Sequence, residues 1–439
     1  MKRIFKKIIL WCLHKESSYM LKKHNPTIIA LTGSVGKTTT KDALYTVLRP
    51  HLHIRKNQKS FNSEIGVPLT VLGLPNAWNN PFKWILNVVR GGWKVLTQKK
   101  YPTHLILEIG VEQPGDIEML TRWITPDVVV LTALPQIPVH VEFFENKEAV
   151  WAEKRLLIAA CKKGGTVIFN YDDDEVMKTK VPEGCSMITY GTKEGADHQV
   201  VKTAAYFADG VLTGEKMTLV HGEHSEDYSF EGILGSQSTL PYAAASATQE
   251  ALKIEAVTIN IEAFEPTPGR MRILSGQNGI TLIDDAYNSS PIALQKGLSE
   301  VGALKQESVG DHGQQGRKIA LLGDMLELGA QSVGIHRSVG GEVFEEGFDH
   351  LITVGVRGSH FAEGAHGAGM SLENIASFSS STDKDLLEYL DHLLEEGDLV
   401  YIKGSQGSRM EKITAHLLST DLDPRECLPR HDEVWLKKV

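Results

Sequence analysis

The chain has 439 residues, 41% of them hydrophobic and 23% charged, the texture of an ordinary globular protein long enough for two or three cores. Its formal net charge is −9, and the sequence shows no basic stripe to offset it, which argues against nucleic-acid binding. The four cysteines, Cys12, Cys161, Cys185 and Cys427, form no Cys-x-x-Cys pair. They are expected to be reduced structural thiols in a cytoplasmic protein.

Met1 to Lys7 is basic and Ile8 to Leu13 apolar, too short a run to span a membrane and followed by no small-residue cleavage site. Residues 1–24 are expected to form an amphipathic helix that packs its Ile, Trp and Leu face on the next domain. Contact with an anionic membrane surface is the alternative. Ile28 to Leu31 then reads as a buried strand and Lys41 to Leu48 as a helix. Between them lies Thr32-Gly33-Ser34-Val35-Gly36-Lys37-Thr38-Thr39-Thr40, a glycine loop feeding a helix N-terminus, which is an anion site. Lys37 is placed to reach terminal phosphates and the Thr38 hydroxyl to hold Mg²⁺. The glycines lie three apart, a shorter spacing than the usual GxxxxGK[ST].

Leu105 to Glu108, Asp127 to Thr132 and Thr166 to Asn170 read as further buried strands, with a helix over Lys147 to Ala160. Glu108 ends its strand, where open parallel sheets bind ligands, and a carboxylate there can hold Mg²⁺. A solvated strand-end acid is the plain alternative. His140 and Lys154, taken alone, read as an ordinary histidine and a solvated lysine. Residues 197–234 have the alternation and glycine turns of a small antiparallel sheet, and Ala243 to Ala247 begins a helix. Pro266-Thr267-Pro268-Gly269-Arg270 is the expected boundary between a domain at 25–268 and one at 269–439. The second series has strands at Ile280 to Asp284, Lys318 to Leu322, Leu351 to Gly355 and Leu399 to Lys403, with Lys305 to Arg317 an exposed loop. Asp284-Asp285 can bond a ribose or form a turn. The loops at 323–329 and 403–409 are polar and follow strands, as functional loops do.

Taken in order, these residues resemble the Mur ligase family, and most closely its MurF type. The resemblance rests on the short phosphate loop, Asn62 to Pro68, Glu108-Ile109-Gly110 through Ile117, and the fourteen-residue interval from His140 to Lys154. Gly269-Arg270, Asp284 to Asn288, Gly323 to Gly329, His336-Arg337 and Lys403-Gly404-Ser405 complete it. It implies an α/β fold: a phosphate-loop ATPase domain with a parallel sheet, then a Rossmann-like C-terminal domain. It also implies an ADP-forming, ATP-dependent amide-bond ligase of peptidoglycan and cell-wall synthesis. Such an enzyme activates a carboxylate as an acyl phosphate and joins D-alanyl-D-alanine to a muramoyl peptide.

By the same resemblance Gly33, Ser34, Val35, Gly36, Lys37, Thr38 and Thr39 hold ATP. Thr38 and Glu108 serve one Mg²⁺, and His140 with Lys154 a second. Carbamylation turns Lys154 from a cation into a carboxylate-like ligand, so Lys37, His140 and Lys154 form the catalytic set. Arg270, Asp285 and Asn288 meet the nucleotide, while Asn62, Ser405 and Arg409 are candidates for substrate. Two features depart from the family. About thirty residues precede the loop, so the UDP-binding N-terminal domain is expected to be lacking, and Ser238, Pro241 and Ser290 replace common asparagines. A non-UDP carboxylate acceptor is therefore the alternative substrate, and a nucleotide-binding scaffold the alternative function. A monomer acting on small molecules is expected.

Overall fold

The computed structural model describes residues 2–58, 61–78, 80–136, 143–254, 259, 264–304 and 316–431. The chain divides into two compact units. One comprises Met1–Val200, Val220–His224 and Pro241–Ala263, the other Val201–Leu219, Ser225–Leu240 and Phe264–Val439.

In the first unit six strands lie in the order β2-β3-β1-β4-β5-β6. They are β1 (Thr27–Thr32), β2 (Ile54–Lys56), β3 (His104–Glu108), β4 (Val128–Leu131), β5 (Thr166–Asn170) and β6 (Ser186–Gly191). Every neighbouring pair is parallel. Runs such as Ile28-Ile29-Ala30-Leu31 and Val128-Val129-Val130-Leu131 are buried throughout, as a parallel sheet covered on both faces requires. The order turns back on itself at β1, which lies between β3 and β4. The register Leu31↔Glu108 and Leu31↔Val130 brings three carboxyl ends level at this switch point, where ligands of open α/β sheets bind.

The helices of this unit are α1 (Lys2–His24), α2 (Lys37–Leu48), α3 (Gly66–Leu72), α4 (Pro81–Thr97), α5 (Asp116–Thr121) and α6 (Lys147–Ala159). The α4 N-terminus is set by Pro81 and by Asn80, whose side chain accepts from Lys83 N at 3.1 Å. The expected N-terminal helix forms, but on a different face. Ile9, Leu13, Ser17, Met20 and Leu21 are buried at helical spacing, which turns Trp11 to the opposite side, where it is exposed with Ile4 and Ile8. No helix among the described residues is long and apolar enough to cross a membrane.

After β6 the chain forms β7 (His198–Ala208), β8 (Val211–His221) and β9 (His224–Glu231). The two-residue turn between β7 and β8, Asp209-Gly210, takes positive φ at both positions, the hairpin geometry expected for residues 197–234. The helix Ser236–Ala251 follows and contains Pro241.

The second unit holds a sheet in the order β10-β11-β15-β12-β13-β14. Its strands are β10 (Arg272–Ser275), β11 (Thr281–Asp285), β12 (Lys318–Gly323), β13 (His350–Val354), β14 (Ile375–Phe378) and β15 (Leu399–Lys403). All pairs are parallel except the edge pair β10–β11. The edge strands β10 and β14 escape sequence reading because they are four residues long and half-polar. Of the expected loop Lys305 to Arg317, residues 305–315 lie outside the described residues. Its last residue, Arg317, is no free loop end, because Nη2 pairs with Asp398 at 2.7 Å and donates to Leu393 O at 2.7 Å.

Candidate functional site

The loop between β1 and α2 is gripped by the end of β4. Ser34 N donates to Ala133 O at 2.8 Å, and Thr132 Oγ1 donates to Val35 O at 2.6 Å. Gly33 is fixed by this approach, since a Cβ there would lie 2.0 Å from Thr132 Oγ1. Gly36, at φ 82°, takes the left-handed conformation at the N-cap of α2, and no side chain caps that end among the described residues. The first amides of a twelve-residue helix, with the positive end of its dipole, thus face the loop. Ser34 Oγ is buried there with no hydrogen-bond partner, and Lys37 Nζ rests 3.4 Å from Ser34 O. An uncapped helix terminus, an unsatisfied hydroxyl and a lysine together fit an anion such as a nucleotide phosphate.

Glu108, at the end of β3, is buried beside this loop. Its Oε2 pairs with Lys41 Nζ at 3.0 Å, and its Oε1 accepts from Thr38 Oγ1 and Asn62 Nδ2, each at 3.2 Å. Asn57 holds the strand end from behind, accepting from Glu108 N at 2.6 Å and donating to Glu108 O at 3.3 Å. Burial alone would raise the Glu108 pKa. Lys41, then Lys37, and hydrogen bonds from Lys41 and Asn62 outweigh it and keep the carboxylate ionised below the usual range. Asn62 therefore positions Glu108, and with Lys37, Ser63 and Gly110 it also lines a pocket of about 270 Å³. Among the described residues no group of three or more His, Cys, Asp or Glu is placed to hold a metal. One carboxylate and one hydroxyl beside a phosphate cradle suit Mg²⁺, which takes its remaining ligands from phosphate and water.

Lys41 and Asn57 were not legible as site residues. Lys41 lies on α2 one turn beyond Thr38 and reads as a solvated helix lysine, yet its ammonium is buried against Glu108. The Glu108→Ala variant removes one partner of this buried pair and should cost about 3–5 kcal/mol of stability, measured by denaturant unfolding without nucleotide.

Lys154 is almost fully buried on α6. The helix is aimed at both ends of its first turns: Asn146 caps it, accepting from Ala149 N at 2.9 Å, and Glu153 accepts from Ile117 N at 2.8 Å, tying α6 to α5. Burial, and then the charge of Lys37, pushes the Lys154 amine well below the usual lysine range, with Glu153 acting the other way. Lys154 is thus a buried amine whose charged form is disfavoured, within electrostatic reach of Lys37, not the solvated lysine that its sequence suggests. His140 lies outside the described residues.

In the second unit, the register Asp285↔Lys403 sets two buried charges side by side. Lys403 Nζ lies 2.5 Å from Asp285 Oδ2 and also donates to Asn288 O at 3.1 Å. Both Asp284 and Asp285 are buried within β11, so neither forms a turn, and Asp285 meets Lys403 and Tyr401. The Asn288 side chain accepts from Gln406 N at 3.3 Å. Arg270 stacks its guanidinium 4.3 Å from the centre of the Tyr287 ring, and its Nε is buried without a hydrogen-bond partner. Arg430, unsuspected from sequence, holds this corner by donating to Ala286 O and Tyr287 O at 2.7 and 2.8 Å while pairing with Glu411. Ser405 is engaged with the backbone, its Oγ accepting from Leu326 N at 2.9 Å. Arg409 lies at φ 53°, pairs with Glu411 at 2.5 Å, and lines a pocket of about 280 Å³ with Asp324, Ser380, Ser408 and Lys412. His336 donates from Nδ1 to Ser332 O at 2.7 Å and accepts Met325 N at Nε2, a neutral tautomer that pins the 323–329 loop.

Asp284 supplies a pH test of this sheet. Burial, and then the charge of Asp285, pushes its pKa up to about 7, while Thr414 donates to it at 3.2 Å. An acid that titrates near 3.9 unfolded and higher when folded loses stability as pH rises between the two values. Stability should therefore fall from about pH 4 to about pH 7, and Asp284→Asn should flatten that slope in unfolding experiments across this range.

Two family profiles match the chain, "Mur ligase middle domain" over residues 31–230 and "Mur ligase, glutamate ligase domain" over residues 269–406. The chain is 27% identical over 417 residues to the UDP-N-acetylmuramoyl-tripeptide–D-alanyl-D-alanine ligase of Bacillus subtilis (strain 168), covering 94% of this chain and 80% of that protein. Its fold is similar to that of the MurF ligase from Thermotoga maritima in complex with ADP, with a TM-score of 0.73 at 24% identity, over 93% of this chain and 83% of the other. It is also similar to Mycobacterium tuberculosis folylpolyglutamate synthase, with a TM-score of 0.60 at 14% identity, over 92% of this chain and 95% of the other.

Proposed function

The chain belongs to the Mur ligase family, and we propose that it is an ATP-dependent peptide ligase joining D-alanyl-D-alanine to a UDP-N-acetylmuramoyl peptide. The observation that carries this reading is the ionised Glu108 held by Thr38, Lys41 and Asn62 at the mouth of an uncapped phosphate loop. The name of the Bacillus subtilis relative supports the choice of substrates.

The chemistry needs a good leaving group on a carboxylate. A carboxylate oxygen attacks the γ-phosphorus of ATP, an O–P bond forms, and the bridging P–O bond to ADP breaks. The amine nitrogen then attacks the acyl carbon, a C–N bond forms, the C–O bond to phosphate breaks, and the amine proton leaves. Lys37, the first amides of α2 and Ser34 bind and orient the phosphates. Thr38 and Glu108 would hold Mg²⁺, whose charge would offset that of the transferring phosphoryl group. The uncharged form of the Lys154 amine is the one that would capture CO2, yielding a carbamate and a proton, and the resulting anion with His140 would hold a second Mg²⁺. Within the second unit, Arg270 with its unpaired Nε is a candidate for an anionic or nucleotide group, and Asp285 and Asn288 order the loop beside it. Arg409, lining the 280 Å³ pocket, is offered to the carboxylate of the incoming dipeptide, with Ser405 holding that loop in place.

The test is ADP release and product mass with ATP, Mg²⁺, D-alanyl-D-alanine and a panel of carboxylate acceptors. Turnover is expected only when the UDP-linked peptide and the dipeptide are both present. Turnover confined to acceptors without UDP would overturn the acceptor, and no ADP release with any pair would overturn the ligase.

A further inference from the structure

The outer faces of α1 and α4 carry an apolar surface that the ligase reading leaves unused. On α4, Phe82, Ile85, Leu86, Val89, Trp93 and Leu96 recur at three- and four-residue spacing, and all are exposed, with Phe82 at 80%, Leu96 at 77% and Trp93 at 67%. The opposite face of the same helix is the one that packs, through Trp84, Asn87, Val88, Gly91 and Val95. Helix α1 lies alongside it. Glu16 reaches Gly91, where a Cβ would come within 2.1 Å of its Oε2, and Lys23 Nζ donates to Val95 O at 2.6 Å. The outer side of α1 adds exposed Ile4, Ile8, Trp11 and Tyr19. Beside the stripe runs an open apolar groove of about 640 Å³ lined by Leu74, Pro75, Val88, Val89, Trp93 and Leu96. Patches of this extent on a folded unit mark an interaction site.

Charge selects the partner. The chain as a whole is at −9, and its sequence suggested no basic stripe, yet here the fold gathers one. Between Glu64 and Glu108 there is no Asp or Glu, while Lys83, Arg90, Lys94, Lys99 and Lys100 fall in that interval. Helix α1 contributes exposed Lys7, Lys15, Lys22 and Lys23, and its single acid, Glu16, has its Oε2 buried on the α4 side. A second copy of the same face would set lysines against lysines. An anionic bilayer instead satisfies both features, since headgroups meet the cations while Trp and Phe enter the interface. We propose that α1 and α4 dock this enzyme on the surface of anionic lipid membranes, lying on the bilayer without crossing it.

The experiment is co-sedimentation of the full chain with phosphatidylglycerol–phosphatidylcholine vesicles and with phosphatidylcholine vesicles, in low and high salt. Pelleting is expected on the anionic vesicles, weakened by salt. In Phe82→Glu/Trp93→Glu the partition coefficient should fall at least about tenfold, because two interfacial apolar anchors become charged. Lys83→Glu/Arg90→Glu should remove the preference for anionic lipid. Circular dichroism melting and ATP hydrolysis should match wild type in both variants, which separates a lost docking face from a lost fold. Absence of pelleting on anionic vesicles in low salt would overturn the proposal. So would equal pelleting of wild type and Phe82→Glu/Trp93→Glu, or a concentration-dependent dimer that these substitutions dissolve while no form binds vesicles.

Discussion

Lys37→Ala is expected to lower turnover by about 10³-fold or more, equivalent to about 4 kcal/mol of transition-state stabilisation, while leaving the fold intact. The Lys37 Nζ sits 3.4 Å from Ser34 O and the side chain is only half-buried, so its truncation opens no core cavity and should move the unfolding midpoint little. With nucleotide its ammonium, at the first position of α2, is placed to follow charge migrating onto a transferring phosphoryl group. Lys37 also acts on its neighbours: it depresses the Lys154 amine and helps keep Glu108 ionised. The variant should therefore lose kcat, with nucleotide affinity reduced less, because the α2 amides and Gly33 to Gly36 remain. Single-turnover ADP release and nucleotide titration separate the two effects. Wild-type turnover in Lys37→Ala would remove Lys37 from the reaction.

The parts of the site that were legible in sequence are those in which one local segment carries both geometry and chemistry. The loop Gly33 to Thr38 is such a segment: strand, glycines, lysine and helix follow one another in the structure too, although the helix starts at Lys37 rather than at Lys41. Glu108 was legible as a strand end. What surrounds it was not, because Lys41, Asn57 and Asn62 reach it only through the parallel register of β1 and β3 and the packing of α2. Asp284-Asp285 shows the same limit. Two adjacent acids suggest a turn or a ribose, and only the pairing of β11 with β15 sets Lys403 opposite Asp285. Arg430 is further still, meeting Ala286 across most of the second unit's sequence. Exposure is equally nonlocal. Trp11 belongs to an apolar run, yet the helix buries the residues at Ile9, Leu13 and Met20 and leaves Trp11 outside, a choice made by the partner helices rather than by the run itself.

Lys154→Ala is expected to reduce ligation by about 10²–10³-fold, and short carboxylic acids such as propionate should restore part of it. Lysine is an unlikely companion for a metal ion as an ammonium, and a buried ammonium is costly in its own right. Burial, and then Lys37, pushes the amine well below the usual lysine range, which eases the second difficulty by favouring the uncharged form. That form has a free electron pair, which is what CO2 requires, and the proposed carbamate would replace an awkward amine with an anion. Removing the side chain takes away that anion, and a diffusible carboxylate that enters the vacated space supplies one. Activity of the wild type should accordingly fall in CO2-depleted buffer and return with bicarbonate, whereas Lys154→Ala should ignore bicarbonate and respond to propionate. A ¹³C NMR signal from ¹³CO2-treated protein, present in wild type and absent in Lys154→Ala, reports the adduct independently of turnover. Stability discriminates further: burial disfavours the charged form of Lys154, so the variant should lose chiefly packing, on the order of 1–3 kcal/mol. Full ligation by Lys154→Ala in CO2-depleted buffer without added acid would show that the site runs on other groups, and that the buried amine of α6 is there for packing alone.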